Sequence, residues 1–122
     1  MTIALVWTGV ALLGGAGAVC RFLVDRAVNA RLGRPCPFGT LVVNISGALL
    51  LGFLGGLALP PHVALVAGTG FVGSYTTFST WMFETQRLAE ERRVGPAIAN
   101  IAVSVVLGLA AAGLGLWLGG LV

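Results

Sequence analysis

The chain has 122 residues, 57% of them hydrophobic and only 9% charged, with a formal net charge of +3. Soluble domains carry about 25% charged residues, and small domains hide the least apolar surface. A soluble globule is therefore excluded, and the composition implies one integral membrane domain over residues 1–122.

A membrane helix needs about 20 consecutive apolar residues, and four such runs follow one another. The first, Met1 to Val24, contains Arg21 near its end. Arg21 is the only candidate embedded charge, and it is expected to be structural, snorkelling to the cytoplasmic interface. The run lacks the basic start of a signal peptide. Asp25 to Pro37 forms the first connection. Cys20 and Cys36 have no C-x-x-C or His cluster beside them and read as inert thiols.

The second run, Phe38 to Leu59, carries Thr40, Asn44 and Ser46. Thr40 and Asn44 lie one turn apart on one helical face. Pro60 and Pro61 then make a tight turn. The third run, His62 to Phe83, holds no Asp, Glu, Lys or Arg, yet six of the nine residues in GSYTTFSTW, 73–81, carry hydroxyls. Gly70, Gly73 and the β-branched Thr76 and Thr77 weaken the helix there. An unwound turn would free carbonyls, which are tolerated at membrane depth only when protein, water or an ion satisfies them. Phe78 and Trp81 share a face. Beyond them, Glu84/Arg87, Arg87/Glu91 and Glu90/Arg93 fall at helical spacing, so the third helix is expected to run on into water, with Gly95-Pro96 resetting the chain for the fourth. The fourth run, Gly95 to Val122, places Asn100, Ser104 and Gly108 on one face. Nineteen glycines predict close helix packing.

All seven arginines (21, 26, 31, 34, 87, 92 and 93) fall on one side of this layout, and there is no lysine. The positive-inside rule puts that side in the cytoplasm and both termini outside a plasma (inner) membrane. The positive charge is thus an orientation signal, and no nucleic-acid partner is implied. No carboxylate lies within a span, which argues against a proton-coupled antiporter of the small multidrug type. Amide and hydroxyl groups can instead turn their hydrogens towards an anion, and aromatic ring edges are electropositive. Carbonyls freed by an unwound turn would suit a hard cation such as sodium. No nucleophile–base set or metal cluster is present to suggest an enzyme.

Four stretches together carry a family resemblance over nearly the whole chain: GGAGAVCR (14–21), GTLVVNISGALLLG (39–52), GFVGSYTTFSTW (70–81) and NIAVSVVLG (100–108). The chain resembles the Fluc (CrcB-type) fluoride channels. The resemblance implies an all-α fold of four transmembrane helices, the third broken near its centre, assembled as an antiparallel dimer with two fluoride pores along the interface. The partner is either an identical copy or a homologous subunit of opposite topology. A structural Na+ would be held by the Gly73 and Thr76 carbonyls of both subunits. Asn44 would donate to fluoride or to a pore aromatic, Phe78 would be a pore ring, and Ser79, Thr80 and Ser104 would form a polar track. The chain departs from the family pattern at Trp81, where a second phenylalanine is usual, and at Ser74, often glycine. A tryptophan is larger and brings its own N–H. The function implied is passive export of fluoride; the alternative is a non-conducting subunit that completes a partner's channel.

Overall fold

The computed structural model describes residues 2–32 and 38–122. Arg34, Cys36 and the rest of the stretch 33–37 lie outside the described residues. Helix α1 (Ile3–Leu32) does not stop at Val24 but runs on to Leu32, so the connection expected from Asp25 begins later. Charge marks where the apolar run ends, not where the helix ends. The segment from Asp25 to Leu32 contains no Gly or Pro, and Asn29 donates from Nδ2 to Asp25 Oδ1 one turn before it at 3.4 Å. Helix α2 (Phe38–Gly56) follows. It closes on Ala58, whose φ of 52° is in the left-handed region, and the chain reverses through Pro60.

The third span is assembled in pieces. Pro61 opens α3 (Pro61–Ala64) from a first-turn position, where its missing N–H costs nothing. A π-helical stretch (Leu65–Val72) comes next, then the short α4 (Gly73–Tyr75). After a break the span resumes as α5 (Ser79–Glu90). The helix runs on past Phe83 to Glu90, with an Arg87–Glu91 ion pair at 3.5 Å. That pair is exposed and worth little. Helix α6 (Val94–Gly120) completes the chain, with Gly95 and Pro96 in its first turn. Helices α1, α2 and α6 are each long and apolar enough to cross a membrane. With the broken third span they make a multi-pass, all-helical membrane protein.

Glycines fix how these helices meet. On α2, a Cβ at Gly52 would strike the Ala112 carbonyl, and one at Gly56 the Leu116 carbonyl. On α6, Gly115 lies against the Leu49 carbonyl and Gly119 against that of Phe53. The two G-x-x-x-G faces therefore bring the α2 and α6 backbones into contact. Helix α1 packs mainly on the π stretch and α4. There Gly17 meets the Phe71 carbonyl, and a Cβ on Gly70 would stand 3.2 Å from Val10 Cα. Most large apolar side chains face outwards, Ile3 at 75% and Leu109 at 72% exposure. A lipid surround tolerates this, since membrane helices associate by packing and hydrogen bonding rather than by escape from water.

Candidate functional site

The break in the third span lies beside the middle of α2. Thr76 takes an extended conformation, φ −81° and ψ 162°. Its N–H still reaches the Val72 carbonyl at 3.0 Å. The next N–H, on Thr77, would bond to Gly73 in a continuing helix. It donates instead to Asn44 Oδ1 at 2.8 Å, and Asn44 Nδ2 donates to the Thr77 carbonyl, also at 2.8 Å. One carboxamide thus satisfies both polar groups of one residue's backbone. Each would cost about 1–3 kcal/mol if buried unpaired. The Gly73 carbonyl is left without its usual helical donor. Gly47 makes the approach possible, because a side chain there would collide with Thr76 Cγ2.

Several of the hydroxyls in residues 73–81 serve the broken backbone. Thr76 Oγ1 donates to the Val72 carbonyl at 3.0 Å. Thr77 Oγ1 accepts from the Thr80 N–H at 3.3 Å, just ahead of α5, whose N-cap residue, Phe78, makes no side-chain cap. Tyr75 OH and Ser46 Oγ are 2.8 Å apart, tying α4 to α2. Ser79 and Thr80 are exposed, with Ser79 Oγ 3.5 Å from Thr77 Oγ1.

Downstream of the break, Phe78 and Trp81 meet edge to face, centroids 5.7 Å apart and planes at 82°. Phe78 is 69% exposed. The Trp81 indole N–H donates to the Asn100 carbonyl at 3.2 Å, and Asn100 Nδ2 donates to Thr85 Oγ1 at 2.8 Å. Asn100 therefore joins α6 to α5. Ser104 continues that face one turn on, towards Gly108 and Ile45 of α2. Its buried hydroxyl finds no partner among the described residues. Thr40, 4% exposed, donates to Glu84 Oε1, a carboxylate that the apolar-run boundary had left outside the span. Arg21 turns inwards, Nη1 donating to the Thr76 carbonyl at 3.4 Å.

Nine of the eleven candidate residues line three cavities, and Ser79 and Ser104 line none of these. Asn44, Gly73, Thr76, Phe78 and Trp81 line one open groove of about 660 Å³ between α2 and the third span. Arg21, Thr40 and Thr80 line a polar pocket of about 160 Å³ that also includes Asp25. Asn100 borders an apolar pocket of about 190 Å³ with Phe38 and Leu88. Sequence reading missed Glu84 and Thr85 as partners of Thr40 and Asn100. For Thr85 a signal existed: W-x-x-x-T puts its hydroxyl one turn below Trp81.

The Gly73 and Thr76 carbonyls are neutral oxygen donors of the type hard cations prefer. Two oxygens fill only part of a cation's shell, and the Thr76 carbonyl already accepts from Arg21 Nη1 at 3.4 Å, so these residues of one chain do not by themselves complete a Na+ site. Among the described residues no cluster of three His, Cys, Asp or Glu is present.

Residues 8–116 match the family described as CrcB-like protein, Camphor Resistance (CrcB). The chain is 69% identical to the fluoride-specific ion channel FluC 2 of Mycobacterium tuberculosis, covering 93% of this chain and 90% of that one. It is 45% identical to fluoride-specific ion channel FluC 1 of Leifsonia xyli subsp. xyli, over 96% of this chain and 88% of that one. With fluoride-specific ion channel FluC of Syntrophotalea carbinolica it shares 46% identity, over 89% of this chain and 93% of the relative.

Proposed function

The chain belongs to the CrcB-like protein family, and from that premise we propose that it is a subunit of a fluoride-selective channel. The direction of use is passive export from the cytoplasm. HF crosses a bilayer as a neutral acid and ionises inside, so an anion leak relieves the trap. The named relatives are ion channels rather than enzymes.

The observation that carries this reading is the Asn44–Thr77 pairing. It keeps the third span interrupted inside an apolar run. The N-terminus of α5 therefore lies beside the groove, with the Thr80 N–H taken by Thr77 Oγ1 and the N–H groups on either side of it without helical carbonyls of their own. Such an end favours an anion. Asn44 Nδ2 has a second hydrogen beyond the one given to Thr77. The Phe78 ring edge and the hydroxyls of Ser79, Thr80 and Ser104 would supply further donors along the path, with Thr40, Asn100 and Trp81 beside it. Arg21 would hold the break in place from α1.

The groove is open on one side, and the exposed Phe78 beside it calls for a second subunit. We assign that role to an antiparallel partner, either a second copy or a homologue, with two pores along the interface. Gly73 and Thr76 from each copy would hold the Na+, which supplies positive charge at the centre of the assembly. Both termini would lie outside the plasma (inner) membrane. A second reading, a non-conducting subunit, is favoured by Trp81, whose size and bond to α6 set it apart from a phenyl ring. The numbered names FluC 1 and FluC 2 among the relatives accord with paired subunits.

The test is fluoride efflux from liposomes containing this chain alone. Self-sufficient conduction predicts rapid loss of fluoride with chloride retained. Fluoride held in these vesicles, while a known channel empties parallel ones, would leave only the non-conducting reading.

A further inference from the structure

Trp81 and Thr85 on α5 form a closed ring of hydrogen bonds with Asn100 on α6. The indole N–H crosses to the Asn100 carbonyl at 3.2 Å, and the Asn100 carboxamide crosses back to Thr85 Oγ1 at 2.8 Å. Thr85 Oγ1 closes the ring by donating to the Trp81 carbonyl at 2.8 Å. The first bond holds the indole N–H, and the second fixes α5 against α6 one turn further on. The orientation they hold is the one that sets its ring at 82° to Phe78.

The ring also explains an orphan. A serine inside a helix can bond back to the carbonyl four residues before it, which for Ser104 belongs to Asn100. That carbonyl has two lone pairs. In α6 one takes the Ser104 N–H, and the indole takes the other. The Ser104 hydroxyl is buried and finds no partner among the described residues.

We propose that Thr85 and Asn100 are positioning residues for Trp81. They clamp the indole edge-on to Phe78, and the clamp withholds from Ser104 the acceptor it would otherwise occupy. The inference rests on the channel reading for its consequence, since Phe78 and Trp81 border the groove assigned to the anion. It goes beyond that reading in giving Thr85 a role and in tying the ring's angle to a donor on another helix.

The test uses the full chain in vesicles with Trp7→Phe and Trp117→Phe, so that Trp81 is the only emitter. Thr85→Val should lower the fluorescence anisotropy of Trp81 and cut the fluoride-to-chloride flux ratio several-fold. Thr85→Ser keeps the hydroxyl and should restore both. If Thr85→Val does not assemble, Trp81→Phe, which keeps a ring but loses the N–H, should show the same change in flux ratio. Unchanged anisotropy in Thr85→Val, or no rescue by serine, overturns the clamp. A flux ratio that stays constant while anisotropy falls overturns its positioning role. If the parent protein conducts no fluoride but the anisotropy pattern holds, the clamp stands and the channel reading fails.

Discussion

Asn44 does at one position what a further turn of helix would otherwise do. Its carboxamide supplies the acceptor that the Thr77 N–H lost and the donor that the Thr77 carbonyl lost. Asn44→Ala should therefore lower the melting temperature as well as abolish most fluoride flux. Two unpaired backbone groups at about 1–3 kcal/mol each are a large share of a marginal stability. Asn44→Asp keeps the acceptor and loses the donor, so its melting temperature should fall between the two. Size-exclusion thermal melts in detergent, beside liposome efflux, check the order; an Asn44→Ala protein that melts like the parent would remove the pairing from the account. Arg92 offers a prediction of opposite sign. Helix α5 ends with Arg93 N–H bonded to the Leu88 carbonyl and Arg92 N–H to that of Ala89. This closure puts Arg92 at φ 60°, where glycine is unstrained and other residues cost about 1–2 kcal/mol. Arg92→Gly should raise the melting temperature, and a fall would show that the guanidinium makes a compensating contact.

At the scale of elements, the α2–α6 seam is the least forgiving part of the fold. Gly52→Val or Gly115→Val would drive a side chain into a backbone carbonyl of the facing helix. Overpacking of this kind costs about 1–3 kcal/mol or more, so both variants should be lost to aggregation in expression tests. Gly113→Ala should be tolerated, because no described residue lies within 4 Å of the added carbon. Four spans were legible because the length of an apolar run is itself the quantity the bilayer measures. The break was legible because glycine and β-branched residues both weaken a helix. The end of α1 at Leu32 was not, since polarity and helicity part company once a helix leaves the membrane. Nor was the π stretch: glycines at 68 and 70 weaken an α-helix without saying what replaces it. The partners of the polar stripes lay furthest out of reach. Asn44 and Thr77 are separated by 33 residues and Thr40 and Glu84 by 44, and no spacing rule links them. In the third span, Thr76→Ser should be mild, because both its carbonyl and its bond to Val72 survive. Thermal melts of Thr76→Ser and Thr76→Val, the latter clearly lower, would check that.

For the molecule as a whole, the arginine distribution predicts one orientation. Seven arginines on one side and no basic residue of either kind on the other should insert the chain mostly with both termini outside. A C-terminal reporter active only in the cytoplasm should stay largely silent in intact cells. Strong signal would mean insertion both ways, and the case for an obligate, different partner of opposite topology would collapse. The packing order also bears on biosynthesis. Helix α1 packs mainly on the first half of the third span, and α2 mainly on α6. Couples are thus formed by alternate helices, and none of the main pairings can close when its first member leaves the ribosome. Between Gly56 and Gly120 lie about 64 residues, which take roughly 3–13 s to translate at ~5–20 residues per second. Throughout that interval α2 presents its glycine face to lipid or to the insertion machinery. A nascent chain stalled before Val94 would hold that face open indefinitely, so membrane quality control has a long window in which an unfinished chain differs visibly from a finished one.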